Sequence, residues 1–184
     1  MFYPVESCFR KYISRCSIKK NSLLFLVSVL LLVSCRVNYS FTGASISPNV
    51  KTVTILYFPN QAPLVVPDLS RSLTDAIRDY FTSQTNLVLV DRGGDLVIEG
   101  AITGYAVQPI AIQGNETAAM NRLTITVNVK FTNRTNEKQN FETSFSRYQD
   151  YQSTLPLIAV QDALIKEIND QLVQDIFNKS VVNW

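Results

Sequence analysis

Arg122–Thr132 reads RLTITVNVKFT. Leu123, Ile125, Val127, Val129 and Phe131 alternate without a fault against Arg122, Thr124, Thr126, Asn128, Lys130 and Thr132. Successive side chains of a strand point to opposite faces, so this period of two predicts one dry face and one wet face. A strand of that kind belongs to an antiparallel sheet covered on one side only.

Working outward, the neighbouring segments supply its partners. The turn Asn133–Gln139 leads into Phe141-Glu142-Thr143-Ser144-Phe145, a hairpin partner. Asp95–Val107 predicts a long strand with Leu96, Ile98 and Ile102 on one side. Gly100 and Gly104 within it mark a twist, a bulge or a close backbone approach. Asn86–Val90 (NLVLV) predicts a short buried strand, and Asp91-Arg92-Gly93-Gly94 a turn. Lys51–Phe58 is β-branched and aromatic, the composition of a first strand. Pro59, Pro63 and Pro67 then predict an extended, exposed link through Asn60–Val66.

Two segments follow the helical period. Leu69, Leu73, Ala76, Ile77, Tyr80 and Phe81 recur at three and four, in a helix capped by Asp68 and ending near Ser83. The second helix spans about Leu155 to Asn178, with Pro156 in its first turn. Its stripe is Ile158, Ile165, Ile168, Leu172 and Ile176. Strand, helix, several strands, helix predicts an α+β two-layer sandwich, both helices on one face of a mixed, mostly antiparallel sheet. The first strand–helix–strand unit supplies a parallel pair.

The N-terminus has a separate logic. Arg10, Lys11, Arg15, Lys19 and Lys20 precede an apolar run, Leu23–Val33, and then Leu32-Val33-Ser34-Cys35. As a helix that run spans ~17 Å, against ~30 Å for a hydrocarbon core. A basic start, a short apolar run and a small residue before the cut describe an export signal over residues 1–34. Leu-Val-Ser-Cys resembles the lipobox of bacterial lipoproteins, in which the thiol of Cys35 takes a diacylglyceryl group. The freed α-amino group is then open to an acyl chain such as palmitate, and two or more chains give stable anchoring. Residues 35–49 are a polar, Ser-rich tether, and 50–184 the domain.

Composition narrows the function. Cys8 and Cys16 lie in the leader, so the chain after Cys35 has no thiol pair. Seventeen basic residues stand against fifteen acidic. Without the leader's five and one, twelve face fourteen, and the excess of positive charge is no argument for nucleic acid. The chain has no histidine, which removes the commonest general base, the usual nucleophilic triads and most zinc sites. Asp75 and Asp79 are one helical turn apart and read as solvated helix charges. Gly93-Gly94 precedes no helix start and is not a phosphate cradle. The triplets at Asn115, Asn133 and Asn178 read as chance rather than glycosylation, because the lipobox points to bacteria. The expectation is a protein without catalysis, cofactor or metal.

The wet face carries the binding hypothesis. Arg122 and Lys130 share it, with Arg134 and Lys138 in the following turn and Arg147 on the returning strand. Such cations hold phosphate groups of a lipid head through charge-assisted bonds. The competing reading is a solvated face whose charge suppresses edge pairing.

Three longer segments carry a family resemblance: GNETAAMNRLTITVNVKF (Gly114–Phe131), FETSFSRYQDY (Phe141–Tyr151) and LVQDIFNKSVVNW (Leu172–Trp184). Behind a lipobox and in this order of elements, they resemble the LptE family of lipopolysaccharide-assembly lipoproteins, in particular its Bacteroidetes branch. The resemblance implies a four-stranded sheet with two helices on one side. It implies a plug inside the outer-membrane barrel LptD that assists the barrel's assembly and helps deliver lipopolysaccharide to the surface. Cys35 is the one functional residue it carries over. Arg36 supplies no aspartate for inner-membrane retention, and the tether lacks an acidic surface-export run. The expected site is therefore the outer membrane, facing the periplasm. The loop 108–122, with Gln113, Asn115, Glu116 and Asn121, is the expected barrel contact. The alternative is a free-standing lipoprotein that binds a small ligand or envelope polymer in an apolar pocket between sheet and helices.

Overall fold

A computed structural model describes residues 46–110 and 119–182. The elements are β1 (Thr52–Ile55), α1 (Leu69–Gln84), β2 (Val88–Leu89), β3 (Leu96–Ile110), β4 (Met120–Asn133), a 3-10 turn (Glu137–Gln139), β5 (Phe141–Gln152) and α2 (Leu157–Val181). The sheet order is β2-β1-β3-β4-β5. β1 runs parallel to β2 and β3, and β3-β4-β5 is an antiparallel meander. Both helices pack on one face, α1 over β1 and β2, α2 over β4 and β5, and they touch each other. The α+β two-layer sandwich is the observed class.

The alternation that opened the sequence reading sets the two faces. Leu123, Ile125, Val127 and Val129 are wholly buried under the helices, and Arg122, Thr124, Thr126, Asn128 and Lys130 stand on the open side. Leu69, Leu73, Ile77 and Phe81 of α1 meet Ile168, Leu172 and Ile176 of α2 in the same core. Phe177 closes it, edge-on to Tyr80 and Phe81 with ring centroids 5.0 and 5.1 Å away. Thr74 ties the layers together. Its hydroxyl accepts from the Phe58 backbone N–H at 3.1 Å and donates to the Ser70 carbonyl at 2.7 Å.

Both strand glycines have work. The β3–β4 register shifts between Ile102 and Gly104, a bulge. A methyl on Gly100 would strike the Asn128 carbonyl oxygen and lie 2.7 Å from the Phe58 ring, so only glycine lets Phe58 lie on the strand.

Several expectations are corrected. The sheet has five strands, not four. The fifth is β2, the expected Asn86–Val90 strand, and it is not buried: Val88 and Leu89 are 61% and 39% exposed because β2 is the edge strand among the described residues. Asp68 makes no side-chain cap. Its own backbone is already helical (φ −88°, ψ −6°), which turns the carboxylate away from the N–H groups it would cap, and it takes Arg71 at 3.1 Å instead. The proline link is exposed at Gln61, Pro63, Leu64 and Val65 as expected, but it is also pinned to β3. The Pro59 carbonyl accepts from Ile102 N–H, Gln61 N–H donates to the Ile102 carbonyl, and Ala62 is buried. Ile158 is 82% exposed: at this end α2 faces the core through Leu157 and Val160, and full burial begins only at Leu164. Pro156 sits just before α2 rather than within it.

Candidate functional site

The open face of β3-β4-β5 is lined by short polar side chains. Thr126 and Ser146 face each other across the strands with hydroxyls 3.0 Å apart, and Asn128 Nδ2 donates to Glu142 at 3.2 Å. Ala101, Ala106 and Thr124 continue the surface in register. It is hydrogen-bonded and mostly polar, with the half-exposed ring of Tyr148 beside Thr124 as its large aromatic member.

The cations expected to form one cluster on this face are dispersed. Arg122 and Lys130 do share it, but eight residues at ~3.4 Å each put them ~27 Å apart. Arg122 donates to both oxygens of Asp150, at 2.7 and 2.9 Å, and its guanidinium lies 3.6 Å over the Tyr148 ring. These hydrogen bonds lower the pKa of Asp150 and raise that of Arg122. Lys130 pairs with Glu99 at 2.8 Å, the chief reason its pKa rises, with Glu142 opposite in register. Arg147 is on the helix-covered side. Two residues beyond Phe145, it shares the parity of Phe141 and Phe145, and it donates to Asp175 of α2 at 2.7 Å. That hydrogen bond raises its pKa. Arg134 and Lys138 lie past the end of β4, off the face.

The paired acids Glu99, Asp150 and Asp175 and the ring of Tyr148 were not singled out by the sequence reading. Strand parity carried a signal for Arg147, since Phe141 and Phe145 already fix which face odd positions take. Of the expected barrel contacts, Asn121 is in β4, paired in register with Pro109 and Tyr151. Gln113, Asn115 and Glu116 lie outside the described residues, as does Cys35.

The pKa shifts follow local hydrogen bonds, charges and burial. Among the described residues, every resolved pKa shift moves its group away from neutrality. Asp95 and Asp150 go down, and Tyr105, Arg122, Lys130 and Arg147 go up. Poised catalytic groups shift the other way. No group of three His, Cys, Asp or Glu among the described residues is placed to hold a metal, and no described helix is long and apolar enough to cross a membrane. Between sheet and helices the space is filled by wholly buried side chains such as Phe58, Phe81 and Ile168.

Comparison with known proteins gives the family. No protein of curated function matches the chain. Among solved structures, a neuraminyllactose-binding hemagglutinin homolog from Helicobacter pylori is 9% identical. The match covers 77% of this chain and 89% of that one, with a TM-score of 0.51, a likeness of fold. A minor lipoprotein from Acinetobacter baumannii is 16% identical over 71% of this chain and 91% of its own, TM-score 0.48. Rare lipoprotein B from Shewanella oneidensis is 16% identical over 70% and 92%, TM-score 0.47. The family described as LptE, lipopolysaccharide-assembly, matches residues 50–180, from the buried Val50 before β1 into the last turn of α2. The chain belongs to the LptE family, and its role is in lipopolysaccharide assembly.

Proposed function

We propose that this chain is an outer-membrane lipoprotein, anchored through acyl chains on Cys35 and facing the periplasm. In this reading it plugs an LptD-type β-barrel, helps that barrel assemble, and assists lipopolysaccharide on its way to the surface. It works by binding and shaping, without catalysis. The observation that carries the reading is the open face of β3-β4-β5. The helices hide the apolar face of the sheet, and the other face presents Thr, Ser, Asn and Ala, with Thr126 bonded to Ser146 and Asn128 to Glu142. Large barrels have polar interiors, so such a face can enter a wet lumen without stranding apolar surface.

Arg122 and Lys130 are the proposed contacts for lipopolysaccharide phosphates. Both already hold carboxylates at an exposed surface, where ion pairs are weak and exchange partners readily. The segment 108–122 is the proposed barrel contact. Affinity isolation from solubilised outer membranes tests the reading. A large barrel protein should come with the chain in comparable amount, and a chain that isolates alone would count for the free-standing alternative.

A further inference from the structure

Cations in this domain are sorted by place. Among the described residues, Arg71, Arg78, Arg122, Lys130, Arg147 and Lys166 are each held in an ion pair. Lys51, Arg92, Arg134, Lys138 and Lys179 are exposed and in none of these pairs. The five outside these pairs share one end of the sandwich, where Arg134 lies near enough to Asp95 for its charge to help lower that carboxyl's pKa. Lys51 precedes β1, Arg92 is in the β2–β3 turn, Arg134 and Lys138 follow β4, and Lys179 is in the last turn of α2. The backbone ties these segments together: Val88 N–H donates to the Lys51 carbonyl, and Arg134 N–H to the Asp95 carbonyl.

Acids at this end are fewer. Asp91 and Glu137 are exposed. Asp95 is engaged, one of its oxygens accepting from Lys51 N–H, Thr52 N–H and the Thr52 hydroxyl at 2.8, 3.0 and 2.9 Å.

A cavity of about 260 Å³ opens at the same end. Ile46, Val50, Phe141 and Val182 give it apolar patches in a largely polar lining, Lys138 and Lys179 both line it, and no acid does among the described residues. Lys179 Nζ stands 5.9 Å from the Phe141 ring centre. The C-terminal carbonyls of α2 add partial negative charge here, which one lysine offsets and two exceed. Ile46, at the cavity wall, is also where the described domain begins, and the steps back to Cys35 span at most ~40 Å.

We propose that this end of the domain is a docking surface for a bilayer bearing anionic phospholipids, with one headgroup phosphate seated between Lys138 and Lys179. The two lysines and the largely polar lining fit a headgroup phosphate, and Ile46, Val50, Phe141 and Val182 fit the start of its apolar chain. The surface is independent of the barrel reading. Only the nearness of a bilayer rests on the acylation of Cys35. A basic patch is the kind of second signal that lets one lipid anchor hold firmly.

The test uses the chain from residue 36 on, without lipid, since every buried core residue among the described ones lies from Val50 to Val181. Circular dichroism confirms its fold. Co-sedimentation with phosphatidylglycerol-containing vesicles, compared with pure phosphatidylcholine, reads the binding. The chain should prefer the anionic vesicles, and Lys138→Gln with Lys179→Gln should weaken binding about fivefold for each lysine. Arg71→Gln with Lys166→Gln, an equal loss of charge on the exposed helix surface, should leave it unchanged. Equal weakening by both pairs, or none by the first, overturns the proposal. So does tight binding of inorganic phosphate with no vesicle preference. Because the protein tested carries no lipid, failure here leaves the anchor reading intact.

Discussion

Replacing Gly100 by alanine tests the packing that holds the sheet's two halves together. The added methyl would fall within contact distance of the Asn128 backbone oxygen and 2.7 Å from the Phe58 ring. Neither neighbour is the free end of a flexible side chain. β3 and β4 must part, or Phe58, wholly buried, must leave its place against the strand. Overpacking of this kind costs about 1–3 kcal/mol, and backbone contact puts Gly100→Ala at the upper end. At roughly 4 °C per kcal/mol, melting should fall by about 12 °C. Two sibling substitutions calibrate the result. Gly104→Ala brings its methyl 3.1 Å from the Thr126 Cβ, a shift of a few tenths of an ångström, and should cost below about 1 kcal/mol. Gly93→Ala meets open space but is held at φ +79°, and should cost about 1–2 kcal/mol. Thermal melts by circular dichroism rank the three. A Gly100→Ala protein melting within about 2 °C of the parent, or above Gly93→Ala, would refute the register and the seat of Phe58.

Phe81→Ala removes a wholly buried ring set against Phe177 and should lower urea stability by about 3–5 kcal/mol, while Ile158→Ala, 82% exposed, should stay within about 0.5 kcal/mol. The Asp95 pKa is depressed, first by the Lys51 N–H and then by the Thr52 hydroxyl and N–H. Its stabilisation is therefore complete above the ordinary carboxylate value of ~3.9 and disappears as pH falls through the lower folded value. Melts between neutral and acid pH should decline on that limb, and Asp95→Asn should be less stable at neutral pH with a shallower decline; an unchanged slope would remove Asp95 from the account. Arg122→Glu with Lys130→Glu should reduce lipopolysaccharide binding while circular dichroism stays that of the parent, and if binding is also unaltered the face is solvated surface. Cys35→Ala combined with Lys138→Gln and Lys179→Gln should fold normally and leave the membrane fraction; retention there in cells lacking the barrel would contradict acylation.

What was legible in the sequence follows the reach of each signal. The period of two in Arg122–Thr132 reports burial residue by residue, so the sheet's two faces and the position of both helices were readable. Gly100 and Gly104 were readable as backbone sites because strands rarely carry glycine. Depth in the fold was not readable. NLVLV is apolar enough for a buried strand, yet lies at the edge, and Ile158 keeps the period of α2 while overhanging the sheet. The cation cluster failed for a related reason. Residue type marks a charge, but whether it is free depends on partners far along the chain, as with Arg122 and Asp150 or Arg147 and Asp175. The cavity shared by Ile46, Phe141 and Lys179 joins segments that only folding brings together.

Native mass spectrometry of the chain drawn from outer membranes in mild detergent reads anchor and partner at once. The account predicts one copy beginning at a triply acylated Cys35, bound to one large barrel protein. A leader still attached, an unmodified Cys35, or a protein that flies alone under conditions that keep barrels folded would contradict it.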